Sequence, residues 1–197
     1  MKIGPKYKIA RRLGAPIFEK TQSQKYALSA EKKSKGMQRS RTDFGVQLTE
    51  KQKAKFFYGV TEKQFKNYVK KILQAKGAPS PLLFTALETR LDNALWRMGF
   101  APTHRAARQM AAHGHIMVNG KRTYSPSLAL KKGDVISVRE GSKTSPLFNK
   151  ETEDAFRAPS WIEVDEKKKE ASIKGEPIMG ETELLFDMGK VIQFYQR

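Results

Sequence analysis

Residues 90–122 place six cations, Arg90, Arg97, Arg105, Arg108, Lys121 and Arg122, around one carboxylate, Asp92. The chemistry open to such a set is anion binding. The planar guanidinium fork meets a phosphate bidentately and stacks on an exposed ring. Arg90 and Arg97 are seven residues apart and share a helix face, with Asn93 between them on the same side. Arg105 and Arg108 lie one turn apart on the next helix. Arg90, Arg97, Arg108, Lys121 and Arg122 are expected to form one continuous basic patch; the plain alternative is a set of ordinary solvated faces. Asp92 has acid–base capacity, but the role expected of it is to pair with a neighbouring arginine and fix its orientation. His104, His113 and His115 are not expected to hold zinc. Four ligands are needed, there is no cysteine, and His113 and His115 flank a glycine rather than standing four apart on a helix.

The elements that must position these groups follow from pattern. A helix is expected to open with Ser80 as N-cap and Pro81 at its first position. It carries Phe84, Leu87, Leu91, Ala94, Leu95 and Met98 at spacings of three and four and stops at Gly99. Thr103 caps the next helix, which runs to Gly114. Its apolar face is small (Ala106, Ala107, Met110, Ala111), and Arg105, Arg108, Gln109 and His113 are left outside. Residues 116–118 form a strand. Asn119-Gly120 is a two-residue hairpin turn, because both positions tolerate positive φ, and residues 121–124 return. Residues 135–138, 161–164 and 171–174 read as further strands. Upstream, Thr61 and Gln64 form a capping box on a helix whose apolar face is Phe65, Tyr68, Val69, Ile72 and Leu73, ended by Gly77 and Pro79. Phe56, Phe57 and Tyr58 follow Lys51, Lys53 and Lys55 in the manner of a base-stacking surface, but core packing is the expected role. Residues 1–45 read as an extended arm with a helical turn or two, ordered mainly by a partner. The apolar end of the tail, Val191, Ile192, Phe194 and Tyr195, predicts docking onto the body rather than fraying.

The chain has 197 residues, 39% of them hydrophobic, and a net charge of +18. Residues 1–80 carry 20 Lys/Arg against 5 Asp/Glu, residues 81–140 carry 9 against 4, and residues 141–197 carry 9 against 11. The basic face therefore belongs to the N-terminal two thirds. An excess of this size points to a polyanionic partner, above all nucleic acid, since each neutralised phosphate releases counterions. Without cysteine there are no disulfides and no thiolate metal sites. There is no apolar run of about 18 residues that would cross a membrane. The first twelve residues lack the apolar stretch of a signal peptide, so a cytoplasmic protein is expected. No Gly-rich phosphate loop, nucleophile elbow or paired-carboxylate motif is present.

Three segments resemble the bacterial small-subunit ribosomal protein S-four family. They are T-D-F-G-V-Q-L-T-E-K-Q-K-A-K-F-F-Y-G-V-T-E-K-Q-F-K-N-Y (residues 42–68), R-L-D-N-A-L-W-R-M-G-F with A-R-Q and H-I-M-V-N-G-K (residues 90–121), and P-S-W-I-E-V-D (residues 159–165). The opening G-P-K-Y-K-I-A-R-R and closing F-Y-Q-R fit as well. The resemblance implies an α+β fold: an all-helical N-terminal domain, and a second domain of helices on a small, mostly antiparallel sheet containing the helix–helix–hairpin module. It implies a basic arm at residues 1–45, a helical domain at 46–88 with the tail 176–197 packed on it, and the module and sheet at 89–175. It also implies a job: binding small-subunit rRNA directly where RNA helices join, nucleating subunit assembly, and contacting ribosomal protein S-five near the path by which mRNA enters, an interface tied to decoding accuracy. The chain departs from the pattern in three places. It lacks the cysteine zinc knuckle of many relatives, the P-P-G-Q-H-G loop, and the Ser-Arg pair that opens the basic helix, for which it has Thr103-His104.

The candidate RNA contacts are Lys2, Lys6, Lys8, Arg11 and Arg12 in the opening segment, then Lys35, Arg39 and Arg41 in the basic stretch that follows. Lys51, Lys53, Lys55, Lys66 and Lys70 are candidates in the helical segment. In the module they are Arg90, Asn93, Arg97, His104, Arg105, Arg108, Gln109, His113, Asn119, Lys121 and Arg122. No catalytic residue, metal, cofactor, membrane or small-molecule substrate is expected. One rival is an RNA-modifying enzyme of the pseudouridine synthase kind, which also has a catalytic R-L-D; here Arg90-Leu91-Asp92 lacks the Thr-x-Gly that follows there. The others are a ribosome-associated chaperone sharing the module and a DNA-binding protein.

Overall fold

The computed structural model describes residues 3–33, 42–148 and 158–196. Within them the helices are α1 (Lys6–Leu13), α2 (Gln24–Lys33), α3 (Asp43–Phe57), α4 (Glu62–Leu73), α5 (Pro79–Glu88), α6 (Leu91–Arg97), α7 (His104–Ala112), α8 (Glu140–Lys143) and α9 (Met188–Tyr195). The strands are β1 (Ile116–Val118), β2 (Lys121–Arg122), β3 (Val135–Val138), β4 (Ile162–Asp165) and β5 (Glu170–Ile173). The class is α+β. The chain divides into two units, Met1–Leu83 with Glu183–Arg197, and Phe84–Thr182.

In the first unit, α4 opens on the expected capping box: Thr61 Oγ1 accepts from the Gln64 N–H, and the Gln64 side chain accepts from the Thr61 N–H. The helix stops at Leu73, four residues before Gly77, and α5 begins at Pro79, earlier than Ser80 as N-cap implies. Helix ends fray by this much when no side chain fixes them. α9 lies against α3 and α4. Phe186 stands against Phe57 and Tyr58, and Tyr195 against Phe65. Residues 3–33 differ from an extended arm. Ala10, Leu13, Ala15, Ile17, Phe18 and Tyr26 are buried together, with Phe56 and Leu185 packed on them. Each apolar residue there is unremarkable alone, and α1 gathers only Ala10 and Leu13 onto one face. The core forms because α3 and the tail supply its other wall, which no local pattern reveals.

The second unit is a five-stranded sheet in the order β2-β1-β3-β5-β4 with every pairing antiparallel. Ile116 and Val118, Ile136 and Val138, and Ala171 and Ile173 alternate onto the buried face. They share a core with Leu91, Leu95 and Met98 from the α6 segment, and with Ala107, Met110 and Ala111 from α7. Burying each large apolar side chain contributes about 2 kcal/mol. The continuous helix expected through residues 80–98 is broken. Arg90 is extended (φ −65°, ψ 138°) and bridges Ala129, while the N–H groups of Leu91 and Asp92 donate to the carbonyls of Leu128 and Pro126. The first N–H groups of a helix have no partner inside it, and here a distant loop accepts from two of them.

Candidate nucleic-acid interface

The break between α5 and α6 lies between two carboxylates, Glu88 and Asp92, and gives them different roles. Asp92 faces Arg90, whose Nε and Nη2 meet its two oxygens at 3.0 and 2.6 Å. Asp92 Oδ1 also accepts from the Asn93 N–H, and Oδ2 from Arg108 Nη1 at 3.1 Å. Arg90 is 1% exposed, so it is not a phosphate contact on an open patch, which corrects that expectation. Its fork is filled by Asp92 because the extended backbone at the helix start turns the side chain inward. Asp92 is therefore the orienting partner of two arginines, one enclosed and one, Arg108, a third exposed.

Glu88 holds the second set. Its oxygens accept from Arg97 Nε and Nη2 at 3.0 and 2.9 Å and from Asn93 Nδ2 at 2.8 Å. Asn93 Nδ2 also donates to the Glu88 carbonyl, so its Oδ1 is the acceptor for His104 Nε2 at 3.0 Å, which places a proton on that nitrogen. His104 stacks on Trp96 at 4.0 Å, and the Arg97 guanidinium lies 4.7 Å from the same ring. Five side chains thus close a ring. Asn93 is buried, which removes it from the set of surface contacts, and Arg97 shows only an eighth of its side chain. The continuous patch of Arg90, Arg97, Arg108, Lys121 and Arg122 is therefore not what forms.

What faces solvent is α7 and the hairpin. Thr103 Oγ1 caps α7 through the Ala106 N–H, and the helix leaves Arg105 and Gln109 exposed with Arg108 beside them. His113 is exposed at its end. Burial, then the positive neighbours His113, Arg139 and Arg122, push the His115 imidazole down. The hairpin turn has both residues at positive φ, Asn119 at 51° and Gly120 at 74°. β1 and β2 pair Met117 with Arg122 and Val118 with Lys121, leaving both cations outside. Asn119 is spent on structure: its Nδ2 donates to Asp134 and its Oδ1 accepts from the Val135 N–H.

The first unit sorts its cations likewise. Lys8, Arg11, Arg12, Lys66 and Lys70 are exposed, and Lys6 is half-buried over Phe18. Lys51 is 6% exposed; its Nζ meets Glu62 at 2.8 Å and lies over the Phe194 ring, so it too is not an open phosphate contact. Lys53 pairs with Glu50 and Lys55 with Glu62. These lysines serve the tail, because Glu50 also accepts from the Asp187 N–H and Glu62 from the Tyr195 hydroxyl. Burial pushes the Glu62 carboxyl up, but hydrogen bonds from Lys51, Lys55 and Tyr195 outweigh it and hold it at about 2. Lys2, Lys35, Arg39 and Arg41 lie outside the described residues. Sequence reasoning missed Glu88, Glu50 and Glu62 as supports. Their only signal was being acids in basic segments.

Fold and site together define a basic α+β binding protein with a helical unit and a helix–helix–hairpin unit. Residues 1–88 match the family described as Ribosomal protein S4/S9 N-terminal domain, and residues 89–136 match the S4 domain. The chain is 41% identical to the small ribosomal subunit protein uS4 of Chromobacterium violaceum, over 99% of this chain and 98% of that protein. It is 39% identical to the uS4 of Chromohalobacter salexigens, over 99% and 98%, and 36% identical to that of Persephonella marina, over 98% and 97%. The chain belongs to this family of small-subunit ribosomal proteins.

Proposed function

We propose that the protein binds small-subunit rRNA directly as a structural component and helps nucleate assembly of the subunit. It works in the cytoplasm, contacts ribosomal protein S-five, and contributes to decoding accuracy where mRNA enters. In this reading residues 1–45 are a basic arm, residues 46–88 a helical domain on which the tail 176–197 packs, and residues 89–175 supply the module and sheet. The observation that carries the proposal is the display of Arg105, Arg108, Gln109, Lys121 and Arg122 on one capped helix and one tight hairpin, while the neighbouring carboxylates Glu88 and Asp92 are consumed internally. Cations held on rigid elements suit structured RNA, which is read through shape, phosphates and ribose hydroxyls. Enclosure of Asp92 by Arg90, Arg108 and a backbone N–H argues against its use as a catalytic group. Competition between small-subunit rRNA and duplex DNA at about 150 mM salt, where nonspecific phosphate binding weakens sharply, is the test. Preference for the rRNA is expected; equal competition removes the proposal.

A further inference from the structure

Tyr124 stands just past the hairpin and belongs to no core: it is 58% exposed. It is nevertheless held in place. The Arg122 guanidinium lies 4.8 Å from its ring centroid. Arg122 is itself fixed, since Nε donates to the Gly114 carbonyl at 2.8 Å and Nη2 to that of His113. Both side chains press on the backbone of the turn between α7 and β1. A Cβ at Gly114 would fall 2.6 Å from Arg122 Nε and 2.6 Å from a Tyr124 ring carbon, and Gly114 has φ +68°. Only glycine lets the pair sit there.

We propose that Tyr124 and Arg122 form a nucleotide site, in which an unpaired RNA base stacks on the Tyr124 ring and its phosphate meets Arg122. The inference rests on the rRNA-binding reading above. Three facts favour RNA over a protein surface as occupant. The ring carries the Arg122 guanidinium on its face and is exposed to solvent rather than packed in an apolar cluster. A guanidinium has five N–H donors and Arg122 spends two on carbonyls, so three remain for an anion while its plane stays on the ring. The ring is already immobilised by folding, so stacking a base on it costs little further order. An aromatic beside a basic stripe is the arrangement that holds single-stranded bases, and it tolerates any base because each has a π-face.

The test measures affinity for a small-subunit rRNA transcript across a salt series, with the full chain. Tyr124→Ala is expected to bind roughly ten-fold more weakly, with the salt slope unchanged because no phosphate contact is lost. Tyr124→Phe should bind as the wild type does. Ultraviolet crosslinking should join the Tyr124 peptide to an unpaired nucleotide. The side chain is exposed, and a circular dichroism spectrum checks that each variant is folded. Wild-type affinity in Tyr124→Ala, a slope lowered by that change, or a crosslink only to paired nucleotides overturns the nucleotide site while leaving rRNA binding intact. A wild-type chain that ignores the transcript removes the rRNA-binding reading itself.

Discussion

Asp92 and Arg108 show how one ion-pair cluster separates a stability role from a contact role. Arg90 is enclosed, so Asp92→Asn leaves a buried guanidinium without its counter-charge. Breaking a buried pair from one side costs about 3–5 kcal/mol, because the remaining charge cannot be hydrated. That loss should appear in urea unfolding as a lowered midpoint. Arg108 is a third exposed and donates one bond to the same carboxylate. Arg108→Ala should cost under about 1 kcal/mol. If Arg108 also touches a phosphate, the change lowers the salt slope of rRNA binding by about one unit. An unchanged slope would mean that Arg108 serves Asp92 alone. Arg105 and Lys121, exposed on the same helix and hairpin, should each lower the slope when changed to alanine and leave the unfolding midpoint alone.

At the scale of elements, α7 matters because it presents Arg105, Arg108 and Gln109, and its start is fixed by one hydroxyl. Thr103→Ala removes the acceptor for the Ala106 N–H and should cost about 1 kcal/mol, read from thermal unfolding. The salt slope should stay as it was, since no cation is lost; a lowered slope would show that the cap orders a phosphate contact. Thr103, Asn119-Gly120 and the Thr61–Gln64 box were legible because caps and tight turns are decided by a few consecutive residues. The break at Arg90 was not, because it depends on carbonyls of Pro126 and Leu128 supplied from a later loop. The burial of Arg90 was hidden for the same reason: an arginine in a basic stretch reads as surface unless its carboxylate is known to enclose it. Tyr124 gave no pattern at all, since its place depends on Gly114 ten residues earlier. Around α1 the possible anchors Leu13, Ile17 and Phe18 could be picked out as apolar, but that they close into a core could not, because Phe56 and Leu185 complete it from far along the chain.

At the scale of the whole molecule, some of the cations are drawn onto carboxylates and hold the fold together rather than facing a partner. Lys51 and Lys55 are drawn onto Glu62, and Lys53 onto Glu50, to hold a tail that returns to the first unit. This contact makes stability depend on pH in a defined direction. Glu62 is held at about 2, below its ordinary value of 4.5, by Lys51, Lys55 and Tyr195 despite the opposing effect of burial. A carboxylate whose folded value is depressed binds fewer protons folded than unfolded, so its contribution is present above about pH 4.5 and is lost as pH falls towards 2. Tyr195 is pushed up by burial and by the Glu62 carboxylate, so its hydroxyl remains a donor throughout that window. The thermal midpoint of the wild type should therefore fall between pH 5 and pH 2 more steeply than that of Glu62→Gln, which has no proton to gain at this site. Near-neutral stability should be lower in Glu62→Gln, because Lys51 loses its counter-charge while buried against Phe194. Parallel curves for the two proteins would show that the lysine–glutamate–tyrosine cluster does not anchor the tail electrostatically, and would leave Phe186, Met188, Val191 and Ile192, all buried, as what holds it.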